Sequence, residues 1–158
     1  MAVIDFDTLA ATRGPLLGMD PGTKTLGLAV SDRTRLIASP LKTLKRTKFK
    51  INGPELLAVI RDNDVAALIV GLPLNMDGSE GPRAQGVRDF ITNLLRLEDV
   101  PIFFQDERMS SQAVERGMLE ADMSRKRRAE EIDRAAAAYI LQGTLDRLRA
   151  SARPSPSP

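Results

Sequence analysis

The chain has 158 residues, 42% apolar and 28% charged, with a net charge of only +2; this is the make-up of a single domain with a core of Leu, Ile, Val and Ala. It contains neither cysteine nor histidine, which excludes disulfides, thiolate and imidazole metal sites, and the Ser-His-Asp and Cys-His machineries. Any chemistry must run on carboxylates, lysine, hydroxyls, backbone groups or bound metal.

Residues 1–14 read as a flexible leader that lacks the basic segment of a signal peptide. No apolar run approaches membrane-spanning length, so a cytoplasmic protein is expected. Leu16 to Met19 is a short apolar strand delivering Asp20, and Pro21-Gly22-Thr23-Lys24 is a turn. Leu26 to Val30 and Arg35 to Leu44 follow as second and third strands, a meander with short connections. Gly53-Pro54 marks a helix start with Pro at its first position and an apolar stripe of Leu56, Leu57, Val59 and Ile60. Val65 to Val70 is continuously apolar, as a central strand buried on both faces must be. A loop from Gly71 to Gly78 leads to Ser79, a cap for a helix with Ala84, Val87, Phe90, Ile91, Leu94 and Leu95 on its inner face. Pro101 to Gln105 is a fifth strand, ending at Asp106-Glu107-Arg108. Ser110 or Ser111 caps a short helix that ends near 117–121. A basic loop, Ser124 to Arg128, precedes a final helix over 129–149, and 150–158 is a disordered Pro/Ser tail. Consecutive strands followed by strand–helix alternation predict one α/β domain over 15–149, a five-stranded mixed sheet covered by helices.

Acidic residues stand just past the ends of two strands, Asp20 after the first and Asp106-Glu107 after the fifth, the edge where open α/β sheets bind ligands. A third, Asp133, falls in the middle of the apolar arc of the last helix when residues are projected at helical spacing. Taken singly, each has an ordinary explanation. Asp20 could start a turn, Asp106-Glu107 could form a capping pair with Arg108, and Asp133 could gain from the helix dipole or pair with Lys126. Together, three carboxylates from distant segments suit Mg²⁺ or Mn²⁺, which take oxygen ligands and need neither His nor Cys. Two such ions about 3.5–4 Å apart serve phosphodiester hydrolysis.

Four segments carry a specific resemblance. Met19-Asp20-Pro21-Gly22-Thr23-Lys24-Thr25-Leu26-Gly27-Leu28-Ala29-Val30 is the first and Ile69-Val70-Gly71-Leu72-Pro73-Leu74-Asn75-Met76-Asp77-Gly78-Ser79 the second. Asp106-Glu107-Arg108-Met109-Ser110-Ser111 and Ile132-Asp133-Arg134-Ala135-Ala136-Ala137 complete them. In this order they resemble the YqgF family of Holliday-junction-resolvase-like proteins and pre-16S rRNA nucleases. The resemblance implies a ribonuclease-H-like fold, a divalent cation, and processing of the 5′ end of precursor 16S rRNA, free or in a pre-ribosomal particle. It also implies Asp20, Glu107 and Asp133 as the catalytic and metal-binding acids. One departure is visible: the wider resolvase superfamily places a Glu at the end of the fourth strand, where this chain has Gly71-Leu72-Pro73.

Two basic clusters could hold backbone phosphates without reading sequence: Lys42, Lys45, Arg46, Lys48 and Lys50, and the unbroken run Arg125-Lys126-Arg127-Arg128. Lys24 and Arg108 flank the acidic sites. The expected partner is nucleic acid, with the protein a monomer or weak homodimer and no membrane involved. Three rival readings carry their own expectations. An actin-like ATPase would need a second domain, a Holliday-junction resolvase would need paired active sites, and a non-catalytic RNA-binding assembly factor would bind RNA without cleaving it.

Overall fold

The computed structural model describes residues 3–106 and 125–152, with side chains from 135 onward in the second stretch. Five strands are present among these residues: β1 (Leu16–Pro21), β2 (Thr25–Ser31), β3 (Ala38–Lys45), β4 (Ala67–Leu72) and β5 (Ile102–Asp106). The helices are α1 (Phe6–Ala11), α2 (Phe49–Asp62), α3 (Pro82–Leu97) and α4 (Arg125–Ala152). The sheet order is β3-β2-β1-β4-β5. β1, β2 and β3 form the expected antiparallel meander, while β1, β4 and β5 run parallel.

Strand alternation divides the core in two. Leu17, Met19, Leu68, Val70, Leu72 and Ile102 point to the side packed by α2 and α3. Leu16, Ala67, Ile69 and Phe103 point to the side covered by α1 and α4, against Ala137, Ile140, Leu141 and Leu145. β4 is buried along its whole length, as its unbroken apolar run requires of a strand covered on both faces. β3 is the free edge, and its Pro40 sits beside the irregularity at Leu28/Ala29, where a missing ladder N–H is tolerated.

Several boundaries differ from the sequence reading. Residues 3–14 are not a loose leader. Val3 bridges to Ile102, Asp5 caps α1 by accepting from the Thr8 N–H at 2.8 Å, and Leu9 is fully buried. Burying Leu9 is worth about 1.5–3 kcal/mol, and a six-residue helix would not persist without it. α2 begins at Phe49, a turn before Gly53-Pro54. The early turn is fixed by buried Asn52, which accepts from the Thr47 N–H and donates to the Lys45 carbonyl, and by Phe49 set edge-on to Phe90 at 5.2 Å. Gly53 is needed there, because a Cβ would lie 2.8 Å from the Phe49 ring and 3.0 Å from Leu97. The cap of α3 is Gly81 with Pro82 at the first position. Ser79 instead closes the preceding turn, donating to Asp77 at 2.6 Å. Arg35 belongs to the β2–β3 turn rather than to β3, with a positive φ of 58°. Arg125 to Arg128, expected as a loop, are the first turn of α4, and the helix runs on to Ala152. The short helix expected near 110–121 and the tail from 153 lie outside the described residues.

Candidate nuclease site

The parallel pairing of β1, β4 and β5 brings their C-terminal ends to one edge of the sheet. Met19 aligns with Val70, and Gly71 with Gln105, so the row containing Asp20 continues through Gly71 to Gln105. Asp20 is 9% exposed and pairs across the ladder with Gly27. By alternation it shares the face of Leu16 and Gly18, the side covered by α4. Gln105 lies on that face as well, accepting from the hydroxyl of buried Thr144 at 3.1 Å. Asp106, aligned with Leu72, has the parity of Ile102 and Phe104 and stands on the opposite, α3 face.

α4 is set close against β1 at Gly18. A Cβ there would lie 2.8 Å from the Leu141 Cβ and 3.1 Å from the Ala137 carbonyl. Leu148 and Arg149 share a cavity with Gly14, at the start of β1. The helix therefore runs antiparallel to β1, its earlier turns directed toward the Asp20 end.

The turn after Asp20 is tight and braced. The Gly22 N–H donates to the Asp20 carbonyl at 3.0 Å, and a Cβ on Gly22 would meet the Thr25 carbonyl at 2.8 Å. Arg46 donates to the Gly22 carbonyl at 2.6 Å, and its own N–H to the Lys24 carbonyl at 2.9 Å. Beside this turn a cavity of about 270 Å³ is lined by Pro21, Thr23, Arg46, Arg83, Gly86 and Val87. Arg46 was visible in the sequence only as one cation of a cluster. Arg83 was missed, since a lone Arg in the first turn of a helix carries no distinguishing signal. Lys24 is exposed on the turn, and Lys42, Lys45, Lys48 and Lys50 are exposed on β3 and the start of α2. Below the edge, Arg88 donates to Glu80 at 2.5 and 3.0 Å and lies 4.8 Å from the Phe104 ring centroid, tying the β4–α3 loop to β5. The bond from Arg88 holds the Glu80 carboxyl below its ordinary value.

The sequence of this chain matches the RuvX family, described as Holliday junction resolvase, over residues 14–147. The chain belongs to the RuvX family. Among RuvX-like relatives, one from Rhodobacter capsulatus is 54% identical over 144 residues, covering 91% of each chain. One from Paramagnetospirillum magneticum is 59% identical over 131 residues, covering 83% of this chain and 84% of the relative. Both are provisionally named pre-16S rRNA nuclease. In fold, the chain is similar to Thermus thermophilus RuvC in complex with Holliday junction substrate, with a TM-score of 0.55 at 18% identity over 86% of this chain and 96% of that one. A second Thermus RuvC structure gives 0.52 at the same identity. The mixed sheet with these neighbours is the ribonuclease-H-like fold expected from the sequence.

Of the sequence-predicted site residues, the structure describes Asp20 and Lys24 and puts both at the C-terminal edge. Glu107 and Arg108, and the side chains of Arg125, Lys126, Arg127, Arg128 and Asp133, lie outside the described residues. Among the described residues no three acidic side chains come together. The donors that face the α4 side at this edge, the Asp20 carboxylate and the Gln105 amide, are oxygens, which suits a hard divalent cation in kind.

Proposed function

We propose that the chain is a cytoplasmic, divalent-metal-dependent nuclease that processes the 5′ end of precursor 16S rRNA. The observation that carries this reading is a buried carboxylate, Asp20, at the C-terminal edge of a ribonuclease-H-like sheet in a RuvX-family chain. A carboxylate oxygen at such an edge is the kind of donor that a hard divalent cation takes.

Asp20, Glu107 and Asp133 are the proposed ligands. Two residues along β1 from Gly18 to Asp20 span about 6.6 Å, and one turn of α4 from Ala137 back to Asp133 spans about 6 Å. This match of lengths supports Asp133 as the partner of Asp20. Asp106 stands on the other face of the sheet, which favours its neighbour Glu107 as the acid from β5. Mg²⁺ or Mn²⁺ at this set would supply the charge that a scissile phosphodiester needs. The chain's own part is to bind and orient the strand: Lys24, Arg46 and Arg83 at the β1–β2 turn, Arg108 beyond β5, and Arg125 to Arg128 at the start of α4.

The test is cleavage of a short precursor 16S 5′ leader by the purified chain with Mn²⁺ or Mg²⁺. Asp20→Asn and Asp133→Asn are each expected to lower the rate by about three orders of magnitude or more while RNA binding persists. Cleavage that survives both substitutions would sink the proposal. One observation favours a second reading: β4 ends in Gly71-Leu72-Pro73, without an acid. RNA binding with no metal-dependent product from the wild-type chain would make the protein a non-catalytic assembly factor. Cleavage of a four-way DNA junction in preference to the leader would make it a resolvase.

A further inference from the structure

The end of β1 away from Asp20 holds a second basic cluster. A cavity of about 480 Å³ lies between the end of α1, the β2–β3 turn and the last turn of α4, lined by Thr12, Arg13, Arg33, Thr34, Arg35 and Arg149 among others, with no carboxylate among the described residues that line it. Six residues of β1 and its lead-in separate Gly14 from Asp20, about 20 Å of extended chain, so this cavity is not part of the catalytic edge.

Its wall is held in place. The Asp32 carboxylate accepts from the N–H groups of Leu36 and Ile37 at 2.9 and 3.0 Å. Arg35 stands in the left-handed region, with φ of 58°, which is uncommon for a residue other than Gly, Asn or Asp. Its guanidinium donates to the Gly14 carbonyl at 2.8 Å, the Thr12 hydroxyl at 2.8 Å and the Leu9 carbonyl at 3.3 Å. All three acceptors are neutral, and of the five N–H groups of a guanidinium two make no bond among the described residues. Burial, and then the charge of Arg13, hold the Arg35 pKa below its ordinary value.

Two of the other guanidinium groups around the cavity have acidic partners at its rim. Arg33 pairs with Asp64 at 2.9 Å, but both side chains are more than 70% exposed, where water screens the pair. Arg149 meets Asp146 at 3.4 Å and also donates to the Leu36 carbonyl at 3.1 Å. Against the four guanidinium groups stand the carboxylates of Asp32, Asp64 and Asp146 and about half a negative charge from the C-terminal turn of α4, so the net charge is small and the donors of Arg35, whose acceptors are all neutral, carry the case.

We infer that this cavity is a phosphate-binding site separate from the catalytic edge, taking the phosphate of a free nucleotide or of an RNA strand. Guanidinium forks match phosphate oxygens two at a time; the Thr12 and Thr34 hydroxyls already donate, to the Leu9 carbonyl and the Asp32 carboxylate, so the donors for a phosphate are the guanidinium groups. The volume falls in the range of small-ligand sites. Phosphate binding here does not depend on the nuclease reading.

The test is calorimetric titration of the full-length chain, without divalent metal, using inorganic pyrophosphate and a 5′-phosphorylated oligoribonucleotide of twelve residues as probes. Arg13→Gln with Arg33→Gln is the informative variant, because neither side chain holds the core together; melting curves check that it folds. One-to-one pyrophosphate binding that weakens at least about tenfold in this variant, and is unchanged in Asp20→Asn, supports the site and assigns it to free phosphates. Weak pyrophosphate binding, with RNA affinity falling about tenfold and its log–log salt slope by about 1.4, supports it and assigns an RNA strand. Unchanged affinity of the folded double variant for both probes overturns the proposal. So does the absence of binding by either probe, or loss of pyrophosphate binding in Asp20→Asn.

Discussion

Asp32 sets the shape of the β2–β3 turn, and its acidity records that work. The Thr34 hydroxyl first, then the N–H groups of Ile37 and Leu36, hold its carboxyl at about 2, below the ordinary 3.8. A depressed folded-state pKa stabilises the fold above the unfolded value and loses that contribution as pH falls through the folded one. The chain is therefore expected to lose stability between about pH 4 and pH 2 in part through this residue. Asp32→Ala should lower the melting temperature at pH 7 and flatten its fall over that window; parallel, equally steep curves would show that Asp32 is not a contributor. At the same scale, Asp20 was legible as a candidate because a carboxylate directly follows an apolar strand. The side of the sheet on which Asp106 stands was not, since it turns on the register and alternation of β5. The alternation set by Ile102 and Phe103 places Asp106 on the α3 side.

Among the elements, α4 links the site to the core. Its buried stripe of Ala136, Ala137, Ile140 and Leu141 was readable from helical periodicity. Its contact with Gly18 was not, because a glycine in a strand gives no hint of what lies across it. Gly18→Ala would push a methyl into Leu141 and the Ala137 carbonyl, and overpacking of this kind costs about 1–3 kcal/mol. Denaturant unfolding should show that loss. On the proposed ligand set, in which Asp133 partners Asp20, cleavage by the folded fraction should also fall; full activity in a destabilised Gly18→Ala chain would separate the helix from the site. The early start of α2 and the docking of α1 escaped the sequence for a related reason. Local signals favoured Pro54 as a helix start and a flexible leader up to Gly14. Distant partners, Phe90 for Phe49 and the sheet for Leu9, outweighed them.

For the molecule as a whole, charge is distributed rather than abundant. The net charge is only +2, yet cations gather near the Asp20 edge, along β3, and in the cavity at the far end of β1. RNA binding should therefore be strongly salt-dependent despite the small sum. Arg127→Ala with Arg128→Ala is expected to weaken binding across sequences and to reduce the log–log salt slope by about 1.4. An unchanged slope would show that the start of α4 is not a phosphate contact.

The sequence by itself determined the chemistry open to this protein and the order of its elements. A chain without His or Cys can hold a catalytic metal only through oxygen, and hydrophobic period separates strands from helices before any contact is known. Tertiary structure alone decided which groups share a face and an edge. Parallel pairing set Asp20 in a row with Gly71 and Gln105, sent Asp106 to the other side, and brought Arg46 and Arg83 to one cavity. It also gathered Arg13, Arg33, Arg35 and Arg149, which are up to 136 positions apart in the chain, around another. Sequence spacing fixes direction within an element, but proximity between elements comes from strand register and packing, which a single sequence does not encode locally.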